Sequence, residues 1–157
     1  ATAGAIFALS IKPPPELPKG TPVRYQRIFR DAFEDAKRRI LDKPECAKFF
    51  GGRLKALEGL YKPEYRFLPL EKSSVGAATY KNGRISVFVN TKGPFVSDTM
   101  SIQEKMKIFG IALTGTPLRS LILLHELGHV RGIFKRDVDD LALNLKYTKQ
   151  VLDHCFK

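Results

Sequence analysis

Histidine is scarce in this chain of 157 residues, methionine and cysteine are scarcer still, and each shortage narrows what the protein can be. Apolar runs are short. The longest, such as Leu121–Leu124, fall far below the roughly 20 residues needed to cross a bilayer as a helix, so no membrane span is expected. Acidic residues are in deficit, with 16 Asp and Glu against 27 Lys and Arg and a net charge of +11. The basic excess is dispersed, from Arg24, Arg27 and Arg30 through Lys37, Arg38 and Arg39 to Lys146 and Lys149. With no basic tract, no aromatic RNA-binding signature and no Cys/His finger spacing, nucleic acid is not expected as a partner. The charge favours acidic or anionic partners, or simply solubility.

Cys46 and Cys155 are the only cysteines, separated by most of the chain, and neither lies in C-x-x-C. A redox motif or thiolate zinc site is therefore not expected. A pair closing so long a loop suits a disulfide in a secreted protein, worth about 4 kcal/mol through chain entropy. The alternative is two buried free thiols. Ala1 stands where a primary translation product would carry methionine, as expected of a chain whose leader has been removed or whose end has been trimmed. Together with the cysteines it points to an extracellular or periplasmic setting.

Residues 1–20 read as an apolar tail and a proline-rich spacer. Ile6, Leu9 and Ile11 can form a strand, and Pro13-Pro14-Pro15 with Pro18 make the spacer stiff and extended. Such a strand lies on its own sheet or adds to a neighbour's, so residues 1–11 are a candidate surface for a homo-oligomer. Residues 21–157 read as one domain, long enough for a real core. Between Tyr25 and Leu41, the apolar Tyr25, Ile28, Phe29, Ala32, Phe33, Ala36 and Ile40 keep the helical period. A second helix is expected from Glu45 to Leu60, with Gly51-Gly52 as its weak point. The period then changes. Tyr65–Leu68, Val75–Tyr80 and Ile85–Asn90 are strand candidates, and Asn82-Gly83 is a strong hairpin signal. A short helix is expected around Gln103–Ile108, and a last helix from Asp139 or Asp140 to Phe156, through Leu141, Leu145 and Leu152.

Two of the three histidines fall in His125-Glu126-Leu127-Gly128-His129, an H-E-x-x-H motif behind the apolar stretch Leu118–Leu124. One helical turn separates His125 from His129, so both imidazoles share a face and can share a metal ion. Glu126 sits beside the ion, where it can take a proton from water. Burying these polar groups among leucines is costly unless they pair or bind metal. Thr116-Pro117 is expected to open this helix, with threonine as cap, and Gly132 to close it.

A catalytic zinc site needs a third protein ligand and an open position. No glutamate comes after Glu126, which removes the downstream glutamate ligand of one large zincin group. In the metzincin pattern the glycine is present at Gly132, but Lys135 occupies the ligand position. Met100 and Met106 both lie upstream, so no downstream Met-turn is possible. Asp137, Asp139, Asp140, Asp153 and His154 remain, with Asp137 the choice if the chain turns back at Gly132.

From His125-Glu-Leu-Gly-His129-x-x-Gly132 to Val-Leu-Asp-x-Cys155, with Cys46-Ala-Lys-Phe-Phe-Gly-Gly and Ile85–Asn90 before Gly93-Pro94-Phe95, the chain resembles a group of small secreted bacterial zincin-like proteins. The resemblance runs from about Tyr25 onward, and it carries fold more than tested chemistry. It implies an α+β zincin-like domain: two N-terminal helices, a small twisted sheet, the motif helix and a C-terminal helix. The expected function is a secreted zinc metallopeptidase acting on peptide or protein substrates. Zn2+ would be held by His125, His129 and Asp137, with Glu126 as general base and the Ile85–Asn90 strand or its hairpin partner as a substrate edge. The alternative is an extracellular structural or self-assembling protein that uses its N-terminal strand and keeps a vestigial or structural metal site.

Overall fold

In the computed structural model, which describes residues 2–70, 76–97 and 99–157, the chain opens on a helix, α1 (Thr2–Ile11), and not on a strand. Three alanines favour that state. The spacing of Ile6 and Leu9 also decides it, because a helix puts both on one side whereas a strand would point them oppositely. Both pack against the core. The helix end is held by polar contacts. The Lys37 ammonium donates to the Lys12 carbonyl at 2.9 Å and to the Tyr61 hydroxyl at 3.0 Å, and Tyr61 donates to the same carbonyl at 2.5 Å. Addition of residues 1–11 to a neighbour's sheet is thereby removed, since there is no strand to add.

The helical period read from Tyr25 becomes α2 (Val23–Asp42), which buries Phe29, Ala32, Phe33, Ala36 and Ile40. The second expected helix is two: α3 (Pro44–Phe49) and α4 (Arg53–Tyr61), divided at Gly51-Gly52. Pro44 opens α3 at a first-turn position, where its missing N–H has no partner to lose.

Strands β1 (Glu64–Leu68), β2 (Gly76–Lys81) and β3 (Arg84–Asn90) form a sheet ordered β1-β3-β2, parallel between β1 and β3 and antiparallel in the hairpin. Val75, expected to open the second strand, lies outside the described residues. At the hairpin, Asn82 and Gly83 both have positive φ, 53° and 74°, as a two-residue primed turn requires. The strand order corrects one expectation. Ile85–Asn90 is the central strand and offers no free edge, because β1 and β2 take its two sides; its hairpin partner β2 keeps one edge unpaired among the described residues.

After α5 (Met100–Ile108) comes α6 (Gly115–Val130), packed by α2, α4, β2 and α7 (Leu141–Cys155). From Leu118 to Gly128 nearly every α6 residue is buried, so it is a core helix rather than an amphipathic one. Its N-cap is Thr114, without a side-chain bond. Thr116 therefore does not cap, and Thr116 and Pro117 lie inside the first turn. Cys46 on α3 and Cys155 at the end of α7 form a disulfide closing 109 residues. That bond is consistent with an extracellular location, and no helix among the described residues is long and apolar enough to cross a membrane. The whole is a mixed, mostly helical α+β arrangement.

Candidate metal centre

His125, Glu126 and His129 lie on the last two turns of α6. The surrounding leucines, Leu121, Leu123, Leu124 and Leu127, are almost completely buried and fix the helix on all sides. The chain then reverses. Gly132 has φ 73°, a left-handed conformation that glycine adopts without strain, and Ile133 and Phe134 both donate to the Gly128 carbonyl at 2.9 and 3.0 Å. Phe134 folds back onto the helix so closely that a Cβ on Gly128 would run into its ring. There it stacks on Tyr147 of α7, with ring centres 4.2 Å apart, and faces both imidazoles. The glycines of the motif thus admit a wedge that aims the adjoining loop at the histidines.

That loop delivers Asp137. Its Oδ2 lies 2.9 Å from His125 Nε2, and its Oδ1 lies 3.1 Å from His129 Nε2. The two Nε2 atoms are 3.3 Å apart. A turn closed by Asp140 N donating to the Asp137 carbonyl, with Asp139 at φ 62°, shapes the approach, and Asn144 Nδ2 donates to Asp137 Oδ2 at 3.1 Å. His125 Nδ1 meets Thr148 Oγ1 at 3.0 Å. His125 Nε2, His129 Nε2 and the Asp137 carboxylate oxygens thus converge on one point. Such a convergence of acceptors needs a proton or a metal ion between them.

The donor set fits a metal. His125, His129 and Asp137 each offer one ligand atom, all within 4.8 Å of one another, and this group could hold an ion. For tetrahedral zinc at ligand distances of about 2.0–2.1 Å, neighbouring ligand atoms stand about 3.3 Å apart, close to what is seen. Two nitrogens and one oxygen leave a fourth position for water or substrate.

Charge reinforces the arrangement. Burial alone would raise the Asp137 carboxyl, but hydrogen bonds from His125 and His129, and their charges, hold it well below the usual carboxylate range. For His129, burial disfavours the imidazolium, yet the bond to Asp137, the charges of Glu126 and Asp137 and a bond to the Phe134 backbone raise its pKa on balance. Burial pushes the Glu126 carboxyl up despite both imidazoles, with Asp137 adding to the rise. Glu126 Oε2 is buried without a hydrogen-bond partner among the described residues, an orphaned oxygen that is costly in a site without a donor. Behind it, burial and then the Glu126 charge push the Tyr65 phenol far upward, and its hydroxyl donates to the Leu60 carbonyl at 2.6 Å.

Of the residues singled out in the sequence, His125, His129 and Asp137 come together, with Glu126 adjacent in the same buried helix. Asp140 instead caps α7, accepting from Leu143 N at 3.0 Å. Asp139 is exposed in the turn, and Asp153 pairs with Lys157 on the surface. His154 bonds the Gln150 carbonyl and stacks on Phe49, away from the cluster. Sequence reasoning passed over Phe134, Asn144, Tyr147 and Thr148. For Asn144 and Thr148 the signal was spacing: with Val151 and Cys155 they share one face of α7, which a search for leucines does not reveal. No protein-family model, curated protein or solved structure matches the chain at a significant level.

Proposed function

We propose that this chain is a zincin-like zinc peptidase of a secreted or periplasmic setting. The observation that carries the reading is the convergence of His125, His129 and Asp137 beside the buried, unpartnered Oε2 of Glu126. When bound, zinc supplies a Lewis acid that polarises a carbonyl and makes water acidic near neutral pH. His125 and His129 present Nε2, and Asp137 presents a carboxylate oxygen. Glu126 takes the proton of the attacking water at Oε2, and its raised pKa suits it to hold that proton and pass it to the leaving amine. The free edge of β2, packed beside α6, suits an extended peptide through backbone hydrogen bonds. The net positive charge favours acidic substrates.

The test begins with zinc per chain in wild type and His129→Ala prepared side by side. About one ion in the first and little in the second is expected. Glu126→Gln should keep zinc and lose hydrolysis of an unfolded protein substrate. No zinc in a folded wild type would refute the metal reading. Zinc without hydrolysis would favour the alternative, an extracellular protein in which the ion is structural.

A further inference from the structure

Helix α1 inverts the usual surface. None of its ten residues is charged, yet it buries none completely; Phe7 is 64% and Ile11 67% exposed. Only Ile6 and Leu9 lean on the core. The helix is not a loose tail, because Lys37 and Tyr61 pin the Lys12 carbonyl at its end, and the stiff Pro13-Pro14-Pro15 comes next. Lys37 is itself almost fully buried to make that anchor. An apolar helix held rigidly with its large side chains outward is a surface presented to a partner.

The surroundings select the partner. A groove on the Leu9 side of α1, across the helix from Phe7 and Ile11, is rimmed by Lys55, Lys62 and Arg131 against Glu58 alone, and exposed Lys12 adjoins the helix end between the two sides. A second copy of this chain would bring two rims of like charge, and two chains of +11, face to face. The patch is also small. A helix of ten residues is about 15 Å long and about 10 Å wide, against the roughly 800 Å² per partner of a stable protein interface. A lipid surface asks for no shape complementarity, accepts an apolar helix face at the headgroup boundary and attracts neighbouring lysines when its lipids are anionic. We infer that α1 is an interfacial anchor that seats Phe7 and Ile11 in the outer layer of an anionic membrane, with Lys12, Lys55 and Lys62 against its headgroups. This docking lies on the membrane surface and is independent of the metal centre.

The experiment is sedimentation of the whole chain with vesicles of phosphatidylglycerol and phosphatidylcholine in equal parts, and with phosphatidylcholine alone. Wild type should partition onto the anionic vesicles, at least about tenfold more weakly onto the neutral ones, and more weakly in high salt. The double variant Phe7→Asp and Ile11→Asp, altered only at exposed positions, should keep its circular dichroism and lose about tenfold or more of the partition. Lys55→Glu with Lys62→Glu should reduce it as well. Binding that survives the Phe7 and Ile11 changes would mean charge alone and overturn the anchor. No binding to either vesicle would overturn it, as would a dimer by sedimentation velocity that the double variant abolishes without any vesicle binding.

Discussion

Helix α6 brings His125, Glu126 and His129 to the candidate metal centre from inside the core, whereas Asp137, Asn144 and Thr148 reach it from a loop and an outer helix. The first wall is held by packing on every side, by α2, α4, β2 and α7. The second packs on α6 and α3 along one face only, through Tyr147, Val151 and Cys155, and is shaped by a few devices: the Phe134 wedge over Gly128, the Asp140 cap and the Cys46–Cys155 bond at the far end of α7. Removing one side chain from a close-packed wall costs stability, but the surroundings relax only partly around the gap. Removing one device from the other frees a segment, so side chains that are not themselves ligands should influence metal affinity chiefly through the second wall.

Replacing both cysteines with serine should give the largest effect, about 4 kcal/mol of stability, because the bond closes 109 residues. Calorimetry would show the loss. Hydrogen exchange should show amides of α7 opening well before those of α6. Equal opening of the two helices would break the contrast between the walls. Next comes Gly128→Ala. Its Cβ cannot coexist with the Phe134 ring, so the wedge must move, at a cost of about 1–3 kcal/mol. At the proposed zinc site, stoichiometry should fall although His125, His129 and Asp137 all remain, and a variant that binds zinc as wild type does would show the wedge to be dispensable.

The two walls also differ in how readable they were. The H-E-x-x-H spacing, the helical period of α2 and the Asn82-Gly83 turn are local patterns, and local patterns survive in a sequence. The split at Gly51-Gly52 was visible as a weak point for the same reason. Asp137 was reachable by elimination and by the reversal at Gly132. Asn144 and Thr148 were not, because polar residues on a helix read as solvent-facing until the neighbouring element is known. In α7 the leucines misled: Leu141 is 57% exposed, while Tyr147, Thr148 and Val151 face inward. α1 was misread because Leu9 and Ile11 fit a strand period, while the helical spacing of Ile6 and Leu9, which puts both against α4, was passed over.

Protonation sharpens the comparison in the metal-free chain. Asp137 has a lowered pKa, so its contribution is present above about pH 4 and is lost as pH falls through the folded value. His129 has a raised pKa, so its contribution is present below about pH 6.5 and is lost as pH rises through its folded value. Their pairing therefore stabilises most between these limits. Glu126 runs the other way: with a raised folded pKa, it costs stability increasingly as pH rises above about 4.3. Glu126→Gln should raise the melting temperature of metal-free protein at pH 7, whereas Asp137→Asn should lower it near pH 5. A Glu126→Gln variant less stable than wild type at pH 7 would contradict the buried, unpaired carboxylate.

The smallest effect is expected at Thr148, which touches no ligand position except through His125 Nδ1. Thr148→Val keeps the volume and removes the oxygen, leaving one ring nitrogen of His125 without its partner. The imidazole then loses a constraint on its tautomer and orientation, and second partners of this kind typically change metal affinity by about 10–100-fold. Zinc affinity should fall at the low end of that range, about tenfold, with stability lowered by about 1 kcal/mol, the low end of the cost of a buried group without its partner. Thr148→Ser should restore it, because the hydroxyl returns even though the methyl does not. Titration against a competing chelator separates the cases. If valine and serine behave alike, packing rather than the hydrogen bond orients His125, and the outer wall contributes only Asp137.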